Sequence, residues 1–512
     1  MDCRQNLRKR QSLFLSALLL TASPLSAGVP VSPATQPNEL VEMSRRGKQA
    51  MADGKYEEAI VFFKGLVQAL PEEPALRMNL GIAHYMAGQH EQAIVELEAV
   101  SKRQANLVPA LFFLGAAYLK TGNSQQAVVP LEKVVTSEPG NSRALHMLAD
   151  ALFSSARYEE AADRFLALTD ADAANPKAWH GLGQSYEALS SQAFQRLQEM
   201  EGASPYVSLL QAQALFQQKR YSKALRLYRD ALTKLPGHRG SHEDVAEIYR
   251  QTGHPEWASH EEAKARPLPP PDCDSASVEC LFQTGRYQEV VVASKGDRSP
   301  GRLYWLSRAY GRMATRAFSL LGQLPPSAQM HQVTAEAYSA QGRALEAVEE
   351  WRQALKYEPE NVTLQKGLAE SLYLAREFEA ARAVLLALLT HQPPSARLNL
   401  MYGGTLLELY QPEQAIPYLR QAAELDPTLA GARALLGRAY LTSGQADQAI
   451  PHLKAALNAD ESGQVHYQLA TAYKRTGQEL LADRTLRRYR EILAAAKIRQ
   501  EQEQAVTITP PW

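Results

Sequence analysis

Two cysteines and four histidines are the residues whose types and spacing come nearest to chemistry in this chain. Cys273 and Cys280 stand seven residues apart in PDCDSASVEC, and the third cysteine, Cys3, lies far away near the start. On one α-helix a separation of seven sets two Cα atoms about 10 Å apart, beyond the reach of a disulfide. Pairing therefore needs Cys273 to lie off the helix, and the preceding run Arg266-Pro-Leu-Pro-Pro-Pro271 disfavours helix there. The pair is read as a disulfide stapling an irregular segment; the other reading is two buried free thiols. His238, His242, His254 and His260 are interleaved with Glu243, Glu247 and Glu261. No HExxH or other zinc spacing occurs among them, so they read as helix and loop side chains rather than metal ligands.

Other chemistry is absent from the pattern. The chain carries no GxSxG elbow, phosphate-binding loop or dinucleotide fingerprint, and no carboxylate pair stands out from ordinary helical surface charge. It is expected to be no enzyme and to need no cofactor or metal. Basic and acidic residues number 55 each, which leaves no electrostatic footprint for a phosphate backbone, so nucleic acid is not an expected partner.

Residues 1–27 belong to a different class. Arg4, Arg8, Lys9 and Arg10 precede the apolar run Leu13 to Ala22, and Pro24-Leu-Ser-Ala27 follows. This reads as a secretory signal peptide cleaved near Ala27. The run is about half of the roughly 20 residues that span a bilayer, so no transmembrane segment is expected after cleavage. The expected location is periplasmic or extracellular, an oxidising setting that suits the cysteine pair.

The elements that must position any site announce themselves by repetition. LYWLSRAYGRMATRAF (303–318) echoes WHGLGQSYEALSSQAF (179–194) at a distance of 124 residues. Gly47, Gly81, Gly115, Ala149 and Gly183 are each 34 apart. Ala59, Ala93, Ala127 and Ala161 keep the same spacing, as do Phe63, Leu97, Leu131 and Phe165. Turn signals at Asp53-Gly54, Gly88 and Thr121-Gly-Asn123 fall between the combs, so each period reads as two short helices joined by a tight turn. Small residues let the two backbones approach, and the Phe or Leu fills the remaining space. Pro71, Pro139, Pro236, Pro359, Pro393 and Pro427 mark the ends of second helices. The comb resumes at Ala347, Ala381, Ala415 and Ala449, with Trp351, Leu385, Leu419 and Leu453 beside it.

In this register LFFLGAAYLKTGNSQQAVVPLEKVVTSEP (111–139) and LLGRAYLTSGQADQAIPHLKAALNAD (435–460) closely resemble the tetratricopeptide repeat, and the resemblance runs from about residue 39 to 497. It implies an all-α, right-handed superhelical solenoid of antiparallel helix pairs. The expected organisation is a signal peptide (1–27), a flexible segment (28–38), an N-terminal array (39–238), degenerate repeats with a proline-rich break and the cysteine pair (239–299), a C-terminal array with a capping helix (300–497), and a tail (498–512). The spacing contracts twice, to 29 residues from Gly183 to Ala212 and to 28 from Ser307 to Ala335. Each contraction follows one of the twin stretches and is expected to be one long helix or a very tight helical pair, a joint in the array rather than a duplicated active site.

The resemblance also implies where a partner would sit. First helices of the family line a concave surface, and the corresponding positions here hold Met78, Ile82, Tyr85, Phe112, Leu119 and Phe153. Spacings of four and three put Met78, Ile82 and Tyr85 on one helical face. Further on, the equivalent positions are polar: Lys177, His180, Gln184, Glu187, Glu336, Lys366 and Glu370. The Lys and Asn pattern by which some members hold a C-terminal carboxylate is absent, since Ser44 and Lys48 occupy its place. The expected function is an exported, non-enzymatic scaffold holding a protein or peptide partner in its groove, with a role in cell-envelope assembly or export suggested by fold-level analogy alone. The alternatives are a glycan-binding solenoid with Trp179, Trp257 and Trp305 as stacking platforms, or a substrate-positioning subunit of an envelope enzyme complex.

Overall fold

In the computed structural model, residues 37–200, 204–268, 273, 277–297, 299–504 and 508–511 are described. The expected signal peptide lies outside them. The described residues form 26 α-helices and no strand.

Four helix pairs come first: α1 (Pro37–Ala52) with α2 (Tyr56–Ala69), α3 (Pro74–Met86) with α4 (His90–Arg103), α5 (Val108–Lys120) with α6 (Ser124–Ser137), and α7 (Ser142–Ser154) with α8 (Tyr158–Ala171). A single long helix, α9 (Pro176–Glu199), follows. Then come α10 (Ser204–Gln217) with α11 (Tyr221–Lys234), α12 (Arg239–Gln251) with α13 (Pro255–Ala265), and the short α14 (Val278–Gln283) with α15 (Tyr287–Ala293). A second long helix, α16 (Pro300–Leu321), precedes α17 (Ala328–Ala340) with α18 (Ala344–Tyr357), α19 (Val362–Leu374) with α20 (Phe378–His391), and α21 (Ala396–Glu408) with α22 (Pro412–Leu425). The series ends with α23 (Ala430–Thr442), α24 (Ala446–Ala456), α25 (Gln464–Arg475) and the 26-residue α26 (Glu479–Gln504). The fold is an all-α solenoid of consecutive helix pairs.

The combs explain the packing. Ala59, Ala93, Ala127 and Ala161 have no exposed surface, and Phe63, Leu97 and Leu131 are equally buried. A Cβ built on Gly115 would lie 2.5 Å from Leu131 Cγ, and one on Gly81 would lie 2.7 Å from Leu97 Cγ. Glycine is therefore what lets each first helix close on the leucine of its partner. Aromatic knobs also reach forward to the next helix. A Cβ on Gly181 would fall 2.3 Å from Phe165, and one on Gly367 would fall 2.5 Å from Trp351. Trp351 secures itself there by donating its Nε1 proton to Ser371 Oγ at 3.0 Å.

Turns and helix ends follow local chemistry. Gly54, Gly88 and Gly122 take φ values of 74°, 78° and 77°, the left-handed conformation that glycine adopts without a Cβ penalty. Elsewhere Ala156, Lys219, Arg376 and Tyr410 hold such a conformation with side chains attached. Pro71, Pro139, Pro236, Pro359, Pro393 and Pro427 each stand two residues beyond the last residue of a second helix. There a missing N–H costs nothing and the fixed φ turns the chain.

Each contracted period is one continuous helix, α9 and α16, in place of a pair. The chain divides into two compact units: Met1–Gln192 with Tyr310–Ala317, and Ala193–Ala309 with Phe318–Trp512. A stretch of α16 thus belongs to the first unit. Inside that unit Tyr186 stacks on Tyr310, its twin at 124 residues, with ring centroids 6.2 Å apart and 24° between planes. At this pair of positions the duplicated residue meets its own copy as packing.

Candidate functional site

In the first unit the first helices α3, α5 and α7 are neighbours. A groove of about 610 Å³ crosses them and reaches the start of α9. Its apolar lining comes from Tyr85, Ala116, Leu119 and Met147, and its polar lining from Lys120, Ser142, Arg143, His146, Asp150, Asn175 and Lys177. Asn175 Oδ1 caps α9 by accepting from the backbone N–H of Lys177 at 3.1 Å and of Ala178 at 3.2 Å. The helix therefore begins at the groove's edge, with the positive end of its dipole there.

The six groove residues expected from the sequence divide. Tyr85 and Leu119 line the groove and are half-buried. Met78, Ile82 and Phe112 are only 5%, 6% and 8% exposed. Phe113 closes over this strip, edge-on to both Phe112 and Tyr85 with centroids 5.4 Å away in each case. The Arg143 guanidinium carbon lies 5.4 Å from the Phe112 centroid. Phe153 is half-buried against Tyr158, with centroids 5.3 Å apart. Much of the apolar face thus contributes to packing between successive first helices, and the accessible part lies toward the helix ends.

Among the polar lining residues Lys177 stands at an expected groove position, whereas His146 and Asp150 were missed although the repeat contains their signal. His146 lies 34 residues beyond Phe112, and Asp150 lies 34 beyond Ala116. Extending the comb without requiring apolar side chains finds both. Three cations, Lys120, Arg143 and Lys177, face one carboxylate. Burial pushes the Asp150 carboxyl above its usual range, while His146 and Lys177 pull it back. His146 Nε2 is 3.6 Å from Asp150 Oδ2. Burial likewise raises the Tyr85 phenol, opposed by the charge of Arg143. The arrangement offers an apolar floor with a cationic rim.

The second unit holds the sequence's cysteine and histidine candidates. Cys273 lies outside any helix and Cys280 is the third residue of α14; the two are bonded, with Cα atoms 5.3 Å apart. His242 Nδ1 is 2.8 Å from Glu261 Oε2, and its Nε2 is 3.1 Å from the Pro236 carbonyl. His238 caps α12, its Nδ1 accepting from the Ser241 N–H at 3.2 Å. Burial and then the charge of Arg308 depress its pKa to about 4. His254 stacks on Trp257 with centroids 4.1 Å apart, and His260 is exposed. Among the described residues no three His, Cys, Asp or Glu side chains are placed to hold a metal ion together.

The three tryptophans considered as sugar platforms are half-buried and engaged. Trp179 donates Nε1–H to the Ala173 carbonyl at 2.8 Å, Trp257 covers His254, and Trp305 lies under the Arg308 guanidinium at 4.9 Å. Arg308 also covers Phe282 at 4.6 Å and donates to the Tyr304 hydroxyl at 2.8 Å.

Comparison with known proteins adds the following. Two family models, both described as tetratricopeptide repeat, match residues 50–112, 118–185 and 406–473, and residues 188–239 and 333–397, together more than half the chain. No curated protein matches it. Similar solved structures include MamA 41-end from Desulfovibrio magneticus RS-1, at 21% identity over 33% of this chain and 96% of that one, TM-score 0.31. YrrB, titled a TPR protein with an unusual peptide-binding site, matches at 22% identity over 33% and 90%, TM-score 0.29. A tetratricopeptide repeat protein from Parabacteroides merdae ATCC 43184 matches at 12% identity over 65% and 98%, TM-score 0.31.

Proposed function

The chain belongs to the tetratricopeptide repeat family, and from that premise we propose that it is a non-enzymatic scaffold holding an extended protein segment in the groove of its first unit. One observation carries this reading: a groove of about 610 Å³ crosses successive first helices and sets three cations against one carboxylate over an apolar floor. Rigid helices hold these groups in place before binding, which lowers the ordering cost of association. The ligand of best fit is an extended peptide that places an apolar side chain on Leu119 and Met147 and acidic side chains beside Lys120, Arg143 and Lys177. Charge pairing at the rim sets specificity and on-rate more than affinity. The engaged tryptophan rings favour a peptide over a glycan.

An exported location is part of the same proposal. It is supported by the basic and apolar pattern of residues 1–27 and by the Cys273–Cys280 bond, a kind that persists in oxidising compartments. A place in envelope assembly or export is consistent with that location.

The test is binding of labelled twelve-residue peptides that differ only in charge. Acidic peptides are expected to bind at least tenfold more tightly than basic ones, with the preference reversed in the double variant Lys120→Glu, Arg143→Glu. Affinity indifferent to peptide charge would remove the proposal.

A further inference from the structure

The second unit contains a peptide contact of its own, made with the chain's C-terminal residues. Ile508-Thr509-Pro510-Pro511 lies against α11 and α12. Arg229 of α11 donates to the Thr509 hydroxyl, to the Thr509 carbonyl at 2.7 Å and to the Pro510 carbonyl at 2.5 Å. The Tyr249 hydroxyl of α12 accepts from Arg229 and donates to the Thr509 carbonyl at 3.0 Å. Ile508 packs on the apolar cluster that contains Leu232, Val245 and Tyr249. Two successive main-chain carbonyls are thus read by one guanidinium.

The segment's chemistry suits that contact. Proline has no N–H to donate and its fixed φ favours extended backbone, so the carbonyls of Thr509 and Pro510 stay available to a donor. A guanidinium presents several N–H groups in a rigid plane and can take more than one such carbonyl. Beside the contact is a pocket of about 310 Å³ that Arg229 also lines, with Leu232 and Val245 as apolar walls and His242, Glu261 and Lys264 as polar ones.

The arginine–tyrosine pair belongs to a repeated position. Arg229 stands five residues beyond Ala224, just as Arg420 stands five beyond the comb residue Ala415. Arg420 in turn donates to the Tyr440 hydroxyl at 2.7 Å. An equivalent pair elsewhere in the chain therefore provides an internal control.

We propose that α11 and α12 form a second peptide-recognition site, specific for an extended proline-containing segment, which the chain's own C-terminus fills in cis. The partner it admits is a protein segment of the same chemistry, an apolar residue followed by Thr-Pro, that displaces the tail. The inference is independent of the groove in the first unit. Only four residues separate the end of α26 from Thr509. A tether that short gives an effective concentration on the order of millimolar, so a tail that binds with an intrinsic Kd below about 0.1 mM weakens a competing ligand at least tenfold.

The probe is a fluorescein-labelled peptide of residues 505–512, AVTITPPW, followed by anisotropy. The chain ending at Gln504 is expected to bind it at least tenfold more tightly than the full chain does. Arg229→Ala in the shortened chain is expected to weaken binding at least tenfold, whereas Arg420→Ala leaves it unchanged. Tyr249→Phe, which keeps the packed ring, is expected to weaken it by a few fold. In the full chain Pro510→Gly, which alters no residue of a helix, is expected to admit the probe as truncation does. Equal affinity of full and shortened chains, or Arg229→Ala binding as well as Arg420→Ala, overturns the proposal and leaves the first-unit groove untouched.

Discussion

Replacing Gly115 by alanine tests the physical basis of the array. An alanine Cβ there would lie 2.5 Å from Leu131 Cγ, 2.7 Å from Cδ2 and 3.2 Å from Cδ1. Apolar carbons prefer about 3.5–4.0 Å, so Leu131 must retreat by about 1 Å. Leu131 has no exposed surface, and Ala127, Val128 and Val134 of the same helix are likewise buried. Overpacking of this kind costs about 1–3 kcal/mol. The glycine-to-alanine change in a helix returns about 1 kcal/mol, which leaves a net loss of up to about 2 kcal/mol. Leu131→Ala alone costs about 2–5 kcal/mol through its cavity. In the double variant the new methyl occupies part of that cavity, so the loss should fall short of the sum by about 1–3 kcal/mol. Hydrogen exchange of α5 and α6 amides reads both effects locally. A Gly115→Ala chain more stable than the parent by about 1 kcal/mol, with additive behaviour in the double variant, would refute the close-packing argument, because propensity alone would then account for the change.

Further outcomes follow from the same physics. The Cys273–Cys280 bond closes a loop of about eight residues, which stabilises by about 2.5 kcal/mol in the chain-entropy model; reduction should speed exchange in α14 and α15 while α5 and α6 stay unchanged. Tyr410 holds φ 58° and is 90% exposed, so Tyr410→Gly should raise local stability by about 1 kcal/mol, visible as slower exchange in α21 and α22. His238 has a folded pKa of about 4 against an ordinary 6.5. The unfolded chain therefore binds the extra proton between those values, and stability is full above pH 6.5 and falls as pH drops toward 4, by about 2–3 kcal/mol. His238→Asn keeps a capping acceptor and should flatten denaturation midpoints across that window.

Much of the fold was legible because the repeat period fixes backbone geometry. Combs of Gly, Ala and Leu report where helices touch, and the terminal prolines report where they stop. The twin stretches were visible as a contraction, but their identity as single long helices was one of two readings: EALSSQAF carries no Gly or Pro and GRMATRAF only Gly311 at its start, which neither makes nor forbids a turn. That Tyr186 would stack on Tyr310 was not legible, because periodicity describes neighbours along the array and says nothing about contacts across 124 residues. The forward knobs escaped for a related reason: Gly181 and Gly367 stand 16 residues after Phe165 and Trp351, outside the 34-residue comb. In the groove Tyr85, Leu119 and Lys177 stand at expected positions, while His146 and Asp150 do not, because on α7 the apolar Phe153 alone marked the groove face. Met78, Ile82 and Phe112 share a helical face with the groove, but a helix face is divided between solvent and the next first helix, and sequence spacing does not draw that line. The docking of Ile508–Pro511 depends on which arginine lies within reach of the tail, a tertiary fact with no local signature.

The central claim is that the first-unit groove holds a protein partner, and site-specific photocrosslinking in the native host tests it most directly. A photoreactive residue replaces Leu119 in the groove or Gln126, exposed on α6, as the control. The account predicts one dominant protein captured from position 119, absent from position 126 and lost when Arg143→Glu is added. Self-crosslinks alone, or the same capture from both positions, would contradict it.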